Sequence, residues 1–279
     1  MNHTPNAGQA GTITLGGDLT VNRLGFGAMR LTGPGIWGEP KDPQGARRVL
    51  QRALELGINF IDTADSYGPE VNERQIAETL HPYPRGLVIA TKGGLTRPGR
   101  DQWERSGSPA HLRQACEASL KRLRVERIDL YQFHAPDARF RIEDSVGELA
   151  KLQQEGKIRH IGVSNFSVAE LERVASIAKI VSVQNRYNIT SRRSDDVVAY
   201  CEHRKMAFIP YAPLAAGEHA APDSGSRELE RIAKQHSMTT AQAALAWLLA
   251  RSPAMLPIPG TSSVAHLEEN VAAAGVGIQ

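Results

Sequence analysis

Three polar residues of different chemistry stand at the ends of apolar runs: Asp62 ends the second run, Lys92 follows the third and His134 follows the fourth. Tyr67 lies in the segment just after Asp62. A phenol holds its proton at neutral pH, because its ordinary pKa is about 10. A nearby ammonium favours the phenolate, and a paired aspartate keeps a buried ammonium charged. Together these groups suit proton donation to an oxygen that gains negative charge, as a carbonyl does when it accepts hydride.

Each of these residues also has a structural explanation when it is taken alone. An aspartate at a strand end often caps the next helix, a single lysine is usually solvated, and a histidine after an apolar strand is often a satisfied core residue. The functional interpretation therefore depends on their joint arrival on consecutive strands. Strand ends of this kind meet at one face of an α/β barrel, where catalytic residues of such barrels lie.

The elements that would position these residues alternate along the whole chain. Short apolar runs without alternation are typical of strands buried on both faces, and helix-like segments lie between them. No linker or change of composition interrupts the series, which favours one (β/α)8 barrel over an open sheet. We expect an N-terminal β-hairpin, a flexible segment at residues 1–10 and one domain at residues 11–279. The predicted barrel strands are residues 24–28, 58–62, 87–91, 128–133, 158–163, 180–184, 207–211 and 255–259.

Composition excludes several classes of protein. The 279 residues include 33 basic and 30 acidic side chains, and this balance gives no indication of a nucleic-acid partner. The two cysteines, Cys116 and Cys201, are far apart, which argues against a disulfide framework or a metal site. No apolar run approaches the roughly 18 residues of a membrane span, and the N-terminus lacks the apolar centre of a secretory signal. We expect a cytoplasmic protein that acts on a small molecule and is compatible with a monomeric state.

One motif matches a dinucleotide-binding pattern but lacks the structural context that the pattern needs. Residues 33–38 match the pattern GxGxxG, which in dinucleotide-binding folds opens a helix so that the pyrophosphate meets free N–H groups. Here the segment 39–43, which contains two prolines, follows it directly. We therefore interpret residues 33–38 as a loop near the mouth of the barrel.

The segments FIDTADSYG (60–68), ATKGG (90–94) and LYQFH (130–134) resemble signature segments of the aldo-keto reductase family, in the same order. Further similar segments are GVSNF (162–166), VQN (183–185), IPYAPL (209–214) and the stretch from IPGT (258–261) to EEN (268–270). The resemblance covers residues 24–270. It extends most closely to a bacterial branch that includes pyridoxal reductases, through LGFGAMRLTGPG and IPGTSSVAHLEEN.

The resemblance implies a carbonyl reductase that uses NADPH and needs no metal. It implies that Asp62, Tyr67, Lys92 and His134 are catalytic, with Tyr67 as the general acid. It also implies three groups of cofactor-binding residues. The nicotinamide group comprises Ser164, Asn165, Gln184 and Tyr211; the pyrophosphate group comprises Leu214 and Gly217; the adenosine group comprises Gly260, Thr261, Ser262, His266, Glu269 and Asn270. Met29 and Pro213 are implied to bind the cofactor without assignment to one of these groups.

The chain departs from the family pattern at the adenosine end. Many relatives carry a lysine or arginine at the positions of Gly260, Ser262 or His266, where the 2′-phosphate binds, and this chain has none there. NADH therefore stays an alternative cofactor. Pyridoxal is a candidate substrate through the bacterial branch. Trp37 and Trp103 lie in segments that should border the mouth, and each could be either a substrate wall or a loop anchor.

Two alternative functions can be distinguished from that of a reductase. Some relatives keep the barrel and cofactor but serve as regulatory subunits of ion channels, and cofactor binding without turnover would indicate that role. A metal-dependent barrel hydrolase would need clustered histidine ligands. The sequence contains neither HxH nor HExxH, which argues against it.

Overall fold

The computed structural model describes residues 4–214 and 224–278. Seven parallel strands form one curved sheet, in which strands adjacent along the chain are neighbours throughout. An N-terminal antiparallel hairpin and a two-stranded ribbon stand outside it. The strands are β1 (Thr12–Leu15), β2 (Leu19–Asn22), β3 (Phe26–Gly27), β4 (Phe60–Asp62), β5 (Val88–Gly93), β6 (Leu95–Thr96), β7 (Glu104–Arg105), β8 (Ile128–Phe133), β9 (Ile158–Ser164), β10 (Ile180–Arg186) and β11 (Ala207–Tyr211).

An extended segment closes the sheet into a barrel. On one side it pairs with β11, where Phe208 donates to the carbonyl of Ala254 and accepts from the N–H of Leu256. On the other side Gly25 donates to the carbonyl of Pro257, and Gly27 donates to that of Pro259. Two prolines remove donors from the segment, which explains why it is less regular than the other strands. The predicted (β/α)8 barrel is confirmed, with residues 255–259 in the eighth strand position.

The expected hairpin closes the amino-terminal end of the barrel. Leu15, Leu19 and Val21 form one apolar cluster with barrel-interior residues such as Phe60 and Leu130. Because this end is filled, the opposite end is the one that can hold a ligand.

Helices cover the outside of the barrel, and capping residues set where several of them begin. Ser108 caps α3 ahead of Pro109, while Ser167 and Thr239 each form a capping box with the residue three positions on. The helices are α1 (Pro43–Glu55), α2 (Val71–Leu80), α3 (Pro109–Leu123), α4 (Ile142–Gln154), α5 (Val168–Val174), α6 (Asp195–Arg204), α7 (Ser224–Gln235), α8 (Thr240–Arg251) and α9 (Val264–Ala272).

Two segments differ from expectation. Ala7–Ala10 form a short 3-10 helix, although residues 1–10 were expected to be flexible. Asn6 and Gln9 form a capping box there, and Ala7 is fully buried, with its N–H donating to the carbonyl of Leu56. Helix α9 was not predicted as a helix; its N-terminus is capped by Ser263. Within the described residues, no helix has the length and apolar character that crossing a membrane requires.

Candidate active site

The four proposed catalytic residues meet at the carboxyl ends of neighbouring strands. Asp62 ends β4, Lys92 lies near the end of β5, and His134 follows β8 directly. The Lys92 ammonium Nζ lies 2.5 Å from Asp62 Oδ1 and 3.1 Å from the Tyr67 hydroxyl. Lys92 is fully buried, and Asp62 and Tyr67 are nearly so. The structure thus places the phenol within hydrogen-bond reach of a buried cation, as the spacing of these residues predicts.

Two glutamines fix the carboxylate of Asp62. Gln132 Nε2 and Gln184 Nε2 each donate to Asp62 Oδ2 at 2.9 Å, and Gln184 also donates to Gln132 Oε1 at 3.1 Å. Lys92 Nζ, which contacts Asp62 and Tyr67, also donates to the carbonyl of Thr63. Sequence reasoning did not single out Gln132, although it lies two residues before His134 in LYQFH and therefore projects from the same strand end.

Opposing effects set the protonation of these groups. Burial raises the pKa of Tyr67 above its ordinary value of 10.0, and the charge of Lys92 offsets only part of that rise. Lys92 therefore lowers the pKa of Tyr67, as expected, but by less than burial raises it. Burial lowers the pKa of Lys92, but Asp62 and Tyr67 outweigh it, so the net direction is upward. At neutral pH the phenol keeps its proton and the ammonium keeps its charge.

His134 is held as a neutral imidazole. Burial, and then the positive charge of Lys92, hold its pKa well below the ordinary value of 6.5. Its ring packs edge-on against Tyr67 with 6.0 Å between centroids. His134 Nδ1 is buried and has no hydrogen-bond partner within the described part of the chain. A neutral imidazole beside the phenol can donate to a substrate oxygen without carrying a charge of its own.

The residues expected to hold a nicotinamide amide form one hydrogen-bonded row. Asn165 adopts a left-handed backbone conformation with φ of 61°. Its Nδ2 donates to the carbonyl of His134 at 3.0 Å, and its Oδ1 accepts from the Tyr211 hydroxyl at 2.9 Å. Ser164 Oγ donates to the carbonyl of Gln184 at 2.7 Å. The row therefore connects His134 to Tyr211.

A cavity of about 660 Å³ opens over this site. It is lined by three of the four proposed catalytic residues, while Lys92 lies beneath it. The volume suits a small-molecule site. Its lining also includes Met29, Trp103, Ser164, Asn165, Gln184, Tyr211, Pro213, Leu214 and Gly260. Gly217, the remaining residue of the proposed pyrophosphate group, lies outside the described residues.

A second cavity of about 640 Å³ shares Met29, Arg30 and Trp103 with the first and reaches Ser262. A side-chain carbon on Gly260 would lie 3.7 Å from Arg30 Cγ, so the arginine stem runs beside Gly260. Arg30 is exposed. The proposed adenosine end thus has a cation nearby that the pattern at Gly260, Ser262 and His266 did not reveal, because Arg30 follows the first barrel strand, far away in sequence.

The other residues proposed for the adenosine end lie on or just before α9. Thr261 Oγ1 accepts from the N–H of Ser263 at 3.0 Å, and His266 is exposed in the first helical turn. Asn270 is buried. Glu269 accepts a hydrogen bond from the Thr239 hydroxyl at 2.6 Å, which directs that carboxylate towards the start of α8.

The two tryptophans differ in position. Trp103 is 40% exposed, lines both cavities and stands edge-on to Tyr67, with 6.5 Å between ring centroids. Trp37 is absent from the described lining of either cavity and lies 5.5 Å from the guanidinium of Arg97. The structure thus gives Trp103 the position of a cavity wall and Trp37 that of a loop contact. The GxGxxG segment containing Trp37 is a loop, as expected, and α1 begins only at Pro43.

A parallel barrel with a buried aspartate, lysine and tyrosine beside a histidine defines the class of protein, and comparison with known proteins agrees. The aldo/keto reductase family matches residues 23–277, and the chain belongs to this family. An uncharacterized oxidoreductase of Schizosaccharomyces pombe is 50% identical over 97% of this chain and 87% of its own length. Pyridoxine 4-dehydrogenase of Escherichia coli is 44% identical over 94% of this chain and 92% of its own length.

Solved structures show the same architecture. The glycerol dehydrogenase of Gluconobacter oxydans superposes with a TM-score of 0.85 at 30% identity, covering 97% of this chain and 92% of that one. An aldo-keto reductase of Klebsiella pneumoniae, solved in complex with NADPH, gives a TM-score of 0.81 at 25% identity, covering 96% and 90%. These likenesses confirm the family resemblance and the barrel fold inferred from the sequence.

Proposed function

We propose that this chain reduces the carbonyl group of a small molecule with NADPH, and that Tyr67 is the general acid. The observation that carries the proposal is the 3.1 Å contact between the Tyr67 hydroxyl and the Lys92 ammonium in the wall of a ligand-sized cavity. A proton donor (Tyr67), a fixed cation (Lys92) and a neutral histidine (His134) lie close together at this site. This combination suits carbonyl reduction, because negative charge develops on the oxygen and is neutralised by a proton donor and stabilised by hydrogen bonds.

The residues present fit a nicotinamide dinucleotide. A carboxamide needs both donors and acceptors, and Ser164, Asn165 and Gln184 offer both at the cavity. Tyr211 lines the same wall and would supply a flat face for an aromatic ring. Gly27 and Gly260 approach so closely that a side-chain carbon on Gly260 would lie 2.4 Å from the Gly27 carbonyl oxygen. This close approach keeps the floor of the cavity free of side chains at that point.

The mechanism follows from the roles of the protein groups. The cofactor, when bound, supplies the hydride. His134 orients the substrate oxygen by hydrogen bonding, and its depressed pKa keeps it neutral while it does so. Tyr67 then transfers its proton to that oxygen. Lys92 stabilises the phenolate that Tyr67 leaves behind, and Asp62, held by Gln132 and Gln184, keeps Lys92 charged and in place.

NADPH is proposed over NADH because Arg30 offers a cation beside Gly260 and the Ser262 cavity, where a 2′-phosphate would bind. Pyridoxal is the proposed first substrate to test. Its support is the 44% identity to a pyridoxine 4-dehydrogenase and the indole of Trp103 beside Tyr67, which suits a planar aromatic ring.

The test is a steady-state assay with NADPH or NADH and a panel of aldehydes that includes pyridoxal. We expect turnover with NADPH, higher kcat/KM than with NADH, and pyridoxine as the product of pyridoxal. Tight binding of NADPH without turnover of any carbonyl would instead support a cofactor-binding regulatory role and would overturn the proposal.

A further inference from the structure

Arg97 is a buried arginine whose contacts the reaction chemistry does not explain. It follows strand β6 directly and is only 8% exposed. A guanidinium has five N–H donors, and here all of them donate to backbone carbonyls. Nε donates to Gln102, Nη1 donates to Ile36 at 2.8 Å and to Ser66 at 3.3 Å, and Nη2 donates to Gly35 at 3.0 Å and to Arg100.

These carbonyls belong to three separate segments at the mouth of the barrel. Gly35 and Ile36 lie in the loop after the first strand, and both have positive φ angles, so their backbone conformation is specialised. Ser66 directly precedes Tyr67. Residues 100–102 lie in the loop between β6 and β7. A single side chain therefore joins the loop that carries Trp103 to the loop that carries the proposed catalytic tyrosine.

The guanidinium also supports the indole of Trp103. The Arg97 guanidinium carbon lies 3.8 Å from the Trp103 ring centroid, well within the range of a cation–π contact. Trp103 is nevertheless 40% exposed and lines both cavities. A large exposed aromatic ring that is fixed in position, edge-on to Tyr67 at 6.5 Å, is a preorganised binding surface rather than a buried anchor.

We propose that Arg97 is a positioning residue for substrate: it fixes Trp103 as a rigid aromatic wall beside Tyr67, so that the enzyme favours planar aromatic aldehydes over aliphatic ones. This inference rests on the proposed reductase function and adds its substrate class. Arg97 touches no reacting atom in this scheme. Its effect reaches the substrate through the position of Trp103.

The kinetic test compares benzaldehyde with butanal, using NADPH, in the wild type, Arg97→Met, Arg97→Lys and Trp103→Leu. Loss of an aromatic contact of this kind corresponds to a change of up to about tenfold. We expect Arg97→Met and Trp103→Leu to raise KM for benzaldehyde by about that factor and to change KM for butanal far less. Arg97→Lys keeps the cation but not the five-donor geometry, so it should recover only part of the loss. Arg105→Met, in the same ribbon, is the matched control and should change neither KM.

A second measurement does not depend on turnover. The chain has three tryptophans, so a Trp37→Phe/Trp247→Phe background leaves Trp103 as the only indole. We expect high fluorescence anisotropy for Trp103 and quenching by benzaldehyde, and Arg97→Met should reduce both. An equal loss of kcat/KM for both aldehydes, or unchanged anisotropy in Arg97→Met, would overturn the proposal. If wild-type protein reduced neither aldehyde, the reductase function would fail, while the anisotropy would still decide whether Arg97 fixes Trp103.

Discussion

The ammonium of Lys92 lies 2.5 Å from Asp62 Oδ1, and both side chains are almost completely shielded from water. Removing one partner of such a buried pair leaves the other charge without compensation. We expect Asp62→Asn to lower the free energy of unfolding by about 3–5 kcal/mol, as measured by chemical denaturation. Glu228→Gln, which breaks an exposed pair with Arg231 on α7, is the control and should have no measurable effect. A loss below about 1 kcal/mol in Asp62→Asn, the range of surface pairs, would contradict the role given to this pair.

Replacement of the Tyr67 hydroxyl should separate chemistry from binding. Phenylalanine keeps the edge contacts with Trp103 and His134 but has no proton to give. We expect Tyr67→Phe to reduce kcat by about 10²–10⁴-fold while the Kd for NADPH, measured by fluorescence titration, stays close to the wild-type value. Tyr200→Phe, on α6 and away from the site, is the matched control. Residual turnover near the wild-type rate would remove Tyr67 from the mechanism.

The pH dependence of reduction follows from three shifted pKa values. The pKa of His134 is held well below 6.5, so this side chain stays neutral as the pH falls through the range in which a free histidine becomes charged. The pKa of Tyr67 is raised above 10.0 and that of Lys92 above 10.5, so both keep their protons up to strongly alkaline pH. We expect kcat/KM for reduction to be flat from about pH 6 to pH 9 and to fall only at higher pH, as Tyr67 loses its proton. A decline centred on the ordinary histidine pKa would show that His134 is not held neutral.

Cofactor choice should depend on Arg30. A hydrogen bond from a charged donor to a phosphate is worth enough to change affinity by about tenfold or more. We expect Arg30→Gln to weaken NADPH binding by that factor and to leave NADH binding nearly unchanged, as measured by equilibrium titration of each nucleotide. Arg85→Gln, an exposed arginine shortly before β5 and therefore at the opposite end of the barrel, is the control. Equal weakening of both nucleotides would place Arg30 on the pyrophosphate instead of the 2′-phosphate.

The sequence predicted the barrel and the meeting of Asp62, Tyr67, Lys92 and His134 because strand ends in a parallel barrel share one face. It did not predict the contacts made by Gln132 and Arg97, or the position of Arg30 beside Gly260. These side chains act across distances of up to hundreds of residues along the chain, and their types have no distinctive spacing. The direction of the Tyr67 pKa shift could not be predicted from the sequence either. It depends on how completely the phenol is buried, which raises the pKa, relative to the effect of the Lys92 charge, which lowers it.

The eighth strand position has a consequence for ligand-linked stability. Gly25 and Gly27 donate to the carbonyls of Pro257 and Pro259 there, and the prolines can return no backbone donor. These bonds join the first and last strands of the barrel. Part of the cavity wall lies at the same place and is formed by Gly27, Ile258, Pro259 and Gly260. A nucleotide that binds against these residues would contact both the first and the last strand and so stabilise their pairing. Occupancy should therefore slow amide hydrogen exchange at Gly25 and Gly27 more than at the interior strands, where pairing is continuous without help.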